Sequence, residues 1–329
     1  MSPASYLTAP PRVAGAQYSA ATLRSMRVGV VDLGTNSTRL LVADVHDGRV
    51  DEVARKVTIT RLGEGVDGRR KLLPLPIARV RNVLADYRRE LEELGAERVL
   101  TIGTSSVRDA ENGEAFLGEI EWSYGFTTRL LSGDEEAALT QRGVSDGRAL
   151  DAHTLVLDVG GGSTELILDG ERTSLDIGSV RLSERFLHSD PPTGNELAAA
   201  AGAVALPALQ PAAAIGVAGT VTTLAALELG GYDRERVHGY RITRETVERQ
   251  LGRLASLPLS QRRELHGLEP DRAPVIVGGA LIVRQVLDRY GLDAIEASER
   301  DLLHGAALEA AKLPEPEEGD APPGAYTCC

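Results

Sequence analysis

The 329-residue chain carries 36 basic and 48 acidic side chains, a formal net charge of −12, and 42% hydrophobic residues. That balance argues against nucleic acid as a partner, because non-specific backbone binding needs a broad basic face. No apolar run approaches the roughly 20 residues of a membrane span. The only cysteines, Cys328 and Cys329, are adjacent and give neither a disulfide framework nor metal-ligand spacing, which fits a reducing cytoplasm.

In chain order, residues 1–25 lack a coherent apolar core and read as a disordered extension or a start-site artefact, with Met26 as the alternative initiator. A first lobe, residues 26–147, opens with strands near Arg27–Val31, Thr38–Asp44 and Arg49–Thr60. A helix follows from about Pro76 to Leu94, where Val80, Leu84, Tyr87, Leu91 and Leu94 recur at helical spacing. The spacing then predicts a strand Arg98–Gly103, a turn through Arg108, a helix Gly113–Tyr124, a strand Thr127–Leu131 and a helix from Asp134. A second lobe, residues 148–313, repeats the opening with strands Thr154–Val159, Thr164–Leu168 and Arg172–Ile177, then a helix Ser179–Leu187. An Ala-rich helix, the strand Ala213–Val217 and a helix running to Leu229 come next. Helices Val247–Leu257, Val275–Tyr290 and Leu302–Ala311 complete it, and residues 314–329 read as a disordered, acidic, Pro-rich tail. Strands alternating with helices place both lobes in the α/β class.

One motif occurs twice. Asp32-Leu33-Gly34-Thr35-Asn36-Ser37-Thr38-Arg39 returns 126 positions later as Asp158-Val159-Gly160-Gly161-Gly162-Ser163-Thr164-Glu165, each copy between two strands. A single Asp-x-Gly turn is ordinary hairpin chemistry, but turn chemistry does not demand Ser-Thr at the same offset in both copies. Glycines let backbone N–H groups close on an anion, and Thr35, Ser37, Ser163 and Thr164 add hydroxyl donors. Asp32 and Asp158, each ending a strand, can hold the water shell of a Mg²⁺ that bridges phosphates. The pair therefore reads as two phosphate-gripping hairpins facing one cleft between duplicated lobes.

Those two loops, with Ser132-Gly133-Asp134-Glu135-Glu136-Ala137 between them, resemble the exopolyphosphatase and guanosine pentaphosphate phosphohydrolase family of the actin-like superfamily. The resemblance covers about Met26 to Leu313. It implies two duplicated actin-like (ribonuclease H-like) lobes around a central cleft, Mg²⁺ as cofactor, and a homodimer. It also implies Glu136 as the base that activates water, Arg108 of Thr104-Ser105-Ser106-Val107-Arg108 as a phosphate-gripping catalytic residue, and Asp32, Asp158 and Glu165 on the metal side. Physics agrees on Glu136: a carboxylate held near other negative charge acquires a raised pKa and can accept a proton from water. Glu135 is expected to support the motif, and an ion pair with Asp109 or a surface Glu is the bland alternative for Arg108. The phosphate-binding set is Gly34, Thr35, Asn36, Ser37, Gly160, Gly161, Gly162, Ser163 and Thr164, with Gly219, Thr220 and, more weakly, Gly278-Gly279 bordering it in the second lobe. Arg39, Arg61, Arg108, Arg181 and Arg185 lie close to motif segments and are expected to make the cleft locally positive.

The implied activity is removal of the terminal phosphate from inorganic polyphosphate, short chains favoured because the chain lacks the extra C-terminal helical domains of longer relatives. Guanosine pentaphosphate hydrolysis uses the same site, and a non-hydrolytic guanosine polyphosphate sensor is the alternative of another class.

Overall fold

The computed structural model describes residues 25–314. The expectations for residues 1–24, for 315–329 and for the terminal Cys328-Cys329 pair lie outside the described residues. The first half comprises β1 (Met26–Leu33), β2 (Ser37–His46), β3 (Arg49–Ile59), α1 (Val66–Arg69), α2 (Pro74–Glu93), β4 (Arg98–Gly103), α3 (Ser105–Asp109), α4 (Gly113–Tyr124), β5 (Thr127–Leu130) and α5 (Gly133–Ser145). The second comprises β6 (Thr154–Val159), β7 (Thr164–Leu168), β8 (Glu171–Leu175), α6 (Ser179–Phe186), α7 (Gly194–Ala203), β9 (Ala213–Val217), α8 (Ala218–Leu229) and α9 (Arg234–Val237). It ends with β10 (Arg241–Thr243), α10 (Arg244–Ser256), α11 (Leu259–Arg262), α12 (Ile276–Tyr290), β11 (Ala294–Ala297) and α13 (Leu302–Ala310).

Two sheets form, in the orders β3-β2-β1-β4-β5 and β10-β11-β9-β6-β7-β8. In the first, β1–β2 and β2–β3 are antiparallel, while β1–β4 and β4–β5 are parallel. Reading β8-β7-β6-β9-β11 repeats that plan strand for strand, with β10 added at the edge. The duplication seen in one loop therefore extends through the whole sheet, and the two lobes are actin-like, as expected.

Period-two alternation sorts the cores. On β1, Val31 and Leu33 face α2 and α4, where Val80, Leu84, Tyr87 and Leu91 form the helical stripe. Val28 and Val30 face the other way, onto Leu302, Leu303, Ala306 and Ala307 of α13. On β6, Leu155, Leu157 and Val159 meet α8 and α12, whereas Val156 meets Ala137 and Val144 of α5. Each sheet is thus built from one side of residue 147, while the helices cross it: α5 covers the second sheet and α13 the first. These two helices also pack on each other. A Cβ on Gly143 would lie 1.8 Å from the Asp301 carbonyl oxygen, and one on Gly305 would lie 1.9 Å from that of Leu139. Both positions need glycine because helix backbones touch there.

Several boundaries differ from the sequence reading. The segment read as a turn through Arg108 is the short helix α3, α2 starts at Pro74 because a proline suits the first helical position, and the strand read as Arg172–Ile177 is Glu171–Leu175. The strands β10 and β11 were not anticipated; three and four residues are too few for a period to show. Gly278 and Gly279, expected to border the ligand, are buried packing glycines of α12, pressed against Ser179 and Thr220.

Substituting Gly143→Ala or Gly305→Ala is expected to destabilise the fold strongly through overpacking between backbones, whereas Gly118→Ala, with open space around it on α4, should stabilise by about 0.5–1 kcal/mol. Chemical denaturation of the three variants checks this, and a mild effect at Gly143 would contradict the crossing.

Candidate active site

The two hairpin loops close in the same way. Gly34 N–H donates to the Ser37 carbonyl at 3.0 Å, and Gly160 N–H donates to that of Ser163 at 3.1 Å. They face one cavity of about 900 Å³ lined by Gly34, Thr35, Asn36, Ser37, Gly160, Gly161, Gly162 and Ser163, together with Asp32, Glu136 and Asp158. Part of the glycine requirement is mutual: a Cβ on Gly161 would come within 2.9 Å of the Thr35 Cβ, and one on Gly162 within 2.3 Å of the Ser105 Oγ. Loop two therefore rests on loop one and on the start of α3. The Asn36 Nδ2 and Ser105 Oγ are buried with no hydrogen-bond partner, the one a ready donor and the other a hydroxyl able to donate, beside the loops.

Thr164 and Thr220 do not line the cavity. The Thr164 hydroxyl donates to the Ile177 carbonyl at 2.6 Å, and that of Thr220 donates to the Val159 carbonyl at 3.4 Å. Both hold the loop from behind. Gly219 does line the cavity, next to Ala218, whose φ of 63° is a strained left-handed conformation for a residue with a Cβ.

The first helix turn of α5 separates its two glutamates. Ser132 and Glu135 form a reciprocal capping box: Glu135 N–H donates to the Ser132 Oγ, and Ser132 N–H donates to the Glu135 Oε2 at 2.9 Å. Hydrogen bonds from Ser132 and the Arg129 guanidinium hold the Glu135 carboxyl down to about 2. Glu136 points the other way, into the cavity, and is 7% exposed. Burial, then the charge of Asp158, push it up to about 8, while the Arg108 Nη1, 3.3 Å from its Oε2, pulls back. Arg108 also donates to the Leu131 carbonyl at 2.7 Å. It therefore holds the glutamate rather than lining the cavity, and Asp109 pairs with Arg181 instead.

Strand register shows what the duplication changed. Asp32 stands opposite Arg39 across β1–β2, and Asp158 stands opposite Glu165 across β6–β7. In the first copy the Arg39 Nε sits 2.7 Å from Asp32, and its Nη1 sits 2.7 Å from Asp301. In the second copy a carboxylate replaces the cation. Glu165, fully buried and behind the cavity wall, accepts from Ser174 Oγ at 2.8 Å. Burial raises Asp158 and Glu165; Arg39 opposes the rise at Asp158, while Glu136 and Asp158 push Glu165 further up. The Thr140 hydroxyl, one turn after Glu136 on α5, donates to the Asp158 Oδ2 at 3.3 Å.

The cleft is less positive than the arginine positions imply. Arg39 is neutralised as above, Arg61 pairs with Asp271 at 2.8 Å, and Arg185 pairs with Asp67 at 2.6 Å away from the cavity. Arg181 clasps Asp67 and Asp109 across the lobes. The cation left over is Arg272, which the sequence reading missed. It lines the cavity over Gly219, and its guanidinium makes no hydrogen bond or ion pair among the described residues. Burial, then Arg39, lower it to about 10, so a phosphate anion arriving there would be strongly welcomed. No motif flagged Arg272; only its free guanidinium in the folded cleft reveals it.

Among the described residues no three Asp, Glu, His or Cys side chains form a ready metal cage. The donor chemistry nonetheless fits Mg²⁺, which is commonly held by one or two carboxylates plus substrate phosphates. Asp32 Oδ1 and Glu165 Oε2 are buried oxygens with no hydrogen-bond partner.

The sequence profile of the Ppx/GppA phosphatase family matches residues 41–313. The chain belongs to that family. It is 39% identical to exopolyphosphatase 2 of Mycobacterium tuberculosis, over 87% of this chain and 98% of the relative. It is 30% identical to the guanosine-5'-triphosphate,3'-diphosphate pyrophosphatase of Vibrio vulnificus, over 85% of this chain and 58% of that one. Among solved structures, an exopolyphosphatase-like protein superposes with a TM-score of 0.82 at 33% identity, over 87% of this chain and 97% of that chain. No described helix is long and apolar enough to cross a membrane.

A carboxyl raised in the fold holds a proton that the unfolded chain releases, so the stability it gives is present in acid and lost as pH rises through the raised value. Glu136→Gln is therefore expected to raise the melting temperature near pH 8 and to be nearly neutral near pH 4. Melting curves across that range check it, and an equal effect at both ends would contradict the assigned protonation.

Proposed function

We propose that the protein hydrolyses the terminal phosphoric anhydride of inorganic polyphosphate, short chains favoured, with water activated by Glu136. The observation that carries this reading is a buried, raised carboxyl at the wall of a cavity between two anion-gripping loops. The loop amides, Ser37, Ser163, Asn36, Ser105 and Arg272 bind and orient the phosphoryl groups. Arg108 fixes the Glu136 carboxylate, and Glu136 takes the proton of the attacking water as oxygen bonds to phosphorus. The bridging P–O bond to the next phosphate breaks as the new bond forms, so the shortened chain leaves on that oxygen and the terminal group is released as orthophosphate. Asp32 and Asp158 at the cavity wall, with Glu165 behind them, would hold Mg²⁺, which would supply charge neutralisation of the phosphoryl group.

Supporting the reading are the family membership and the activity in the mycobacterial relative's name. The Vibrio relative's name supports guanosine pentaphosphate as the second substrate for the same machinery. A non-hydrolytic sensor fits less well, because sensing needs no carboxylate with a proton-accepting environment at the phosphates. A cytoplasmic homodimer completes the reading on family likeness alone.

Orthophosphate release from polyphosphate with Mg²⁺ tests it. Glu136→Gln should lower the rate by about 10²–10⁴-fold, the span of a general base, while Glu135→Gln should act mainly on stability. The rate for the native protein should rise with pH through a value above the ordinary carboxylate range, since Glu136 must lose its proton to act. Unimpaired release by Glu136→Gln would overturn the mechanism, and no release from any polyphosphate would overturn the activity.

A further inference from the structure

The second hairpin loop is held from behind by the start of α6. The N–H groups of Ser179 and Val180 donate to the Gly160 and Gly161 carbonyls at 2.9 and 2.8 Å, and that of Arg181 donates to the Gly161 carbonyl at 3.1 Å. The Ser179 hydroxyl adds a bond to the Gly160 carbonyl at 3.2 Å. A trans peptide points its N–H opposite its C=O, so drawing these two carbonyls onto α6 turns the Gly161 and Gly162 N–H groups away from it. The seat is close: a Cβ on Gly178 would lie 2.5 Å from the Gly161 carbonyl oxygen. The main chain of α6 therefore fixes which way loop two presents its donors.

The side chain of the same Arg181 reaches into the other lobe. It is 8% exposed, pairs through Nη2 with Asp109, holds Nε 3.3 Å from the Asp67 Oδ1, and on its own lobe meets the open Asp176 at 3.5 Å. Both partners in the first lobe lead back to the site. Asp67 lies on α1, and the segment before α1 is tied to loop one: the Thr60 and Arg61 N–H groups donate to the Asn36 carbonyl at 3.1 and 2.9 Å, and that of Gly63 donates to the Thr35 carbonyl at 2.8 Å. Asp109 ends α3, whose Ser105 lines the cavity against Gly162 and whose Arg108 holds Glu136. Arg185, one turn further along α6, also pairs with Asp67, but its side chain is 41% exposed. A planar guanidinium holds two carboxylates at once in fixed directions, which an ammonium on a flexible stem does not.

We propose that Arg181 is a positioning residue: its backbone carries loop two, and its guanidinium seats that loop against loop one and against the helix that restrains Glu136. The proposal rests on the hydrolytic reading of the loops and of Glu136. Without the guanidinium, loop two keeps its own shape on α6 but loses its register with the other lobe, and Asp109 loses the cation it pairs with here. A misplacement of about 1 Å between substrate and catalytic group costs on the order of 10²-fold in rate.

Steady-state orthophosphate release from tripolyphosphate with Mg²⁺, together with hydrogen exchange on the same proteins, tests this. Arg181→Gln should lower kcat by about 10²-fold and change KM by less than about three-fold, because each loop keeps its own donors. Arg181→Lys, which keeps the charge but not the planar pair of donors, should fall between, and Asp109→Asn should lower kcat while adding little to Arg181→Gln. Arg185→Gln, at an exposed position on the same helix, should leave kcat within about two-fold. In Arg181→Gln the amides of residues 60–67 and 104–112 should exchange faster, although the substitution lies in the other lobe. That readout needs no turnover, so an inactive native protein would overturn the hydrolytic reading and with it the kinetic role, while exchange alone still decides the clasp. A near-native kcat in Arg181→Gln would overturn the positioning role, as would an equal loss in Arg185→Gln, and unchanged exchange in the first lobe would overturn the clasp. If Arg181→Gln does not fold, Arg181→Lys and Asp109→Asn decide it.

Discussion

Three carboxyls, Glu136, Asp158 and Glu165, are raised first by burial and then by like charge, Asp158 pushing up Glu136 and both pushing up Glu165, and the rest of the site is arranged around that strain. Like charges in a poorly solvated space cannot all ionise, so protons stay on some of them until a cation or a cationic substrate complex arrives. The crowding costs stability at neutral pH and sets the proposed base beside the proposed phosphate loops, the stability–activity trade that active sites commonly show. It persists because the surroundings are over-determined. The capping box at Ser132 and Glu135 fixes the first turn of α5, Arg108 restrains Glu136, and Thr140 and Ser174 hold Asp158 and Glu165 in place.

The other hairpin shows the same backbone with the opposite electrostatics. Where the second copy places Glu165 opposite Asp158, the first places Arg39 opposite Asp32, and Asp301 at the start of α13 completes a charge-balanced cluster with Arg55. Asp301 is held well below the carboxylate range: the two arginines outweigh its burial. One copy is thereby a settled ion-pair network that braces the lobes, and the other is a strained acidic pocket. The crossing of α5 and α13 at Gly143 and Gly305 joins them, because the helix that carries Glu136 packs directly on the helix that begins with Asp301. The two copies share a strand plan, and the charge facing the Asp at the end of the first strand, Arg39 in one and Glu165 in the other, is opposite in sign.

How much of this was legible in sequence follows from range. The repeated loop, the amphipathic stripe of α2 and the Glu135–Glu136 pair are local patterns, and they pointed to the doubled lobes and to Glu136 as the proposed base. Thr164, Thr220 and the Gly278-Gly279 pair carry the same residue types as true cavity liners, and only packing shows that their partners are backbone or helix. Arg272 belongs to no motif. What marks it is a guanidinium in the cavity wall with no side-chain hydrogen bond or ion pair among the described residues, which is visible only after the fold has brought every candidate near. The small strands β10 and β11 were hidden for a simpler reason, being shorter than the period that would have marked them.

The central claim is that Glu136 keeps its proton in the free protein near neutral pH because it is buried and stands beside the charge of Asp158. Titration of side-chain carboxyl ¹³C chemical shifts in glutamate-labelled protein, native against Glu136→Gln, measures this directly. The account expects one signal that titrates far above the others, around 8, and vanishes in the variant. A native protein in which every glutamate titrates in the ordinary carboxylate range would contradict it.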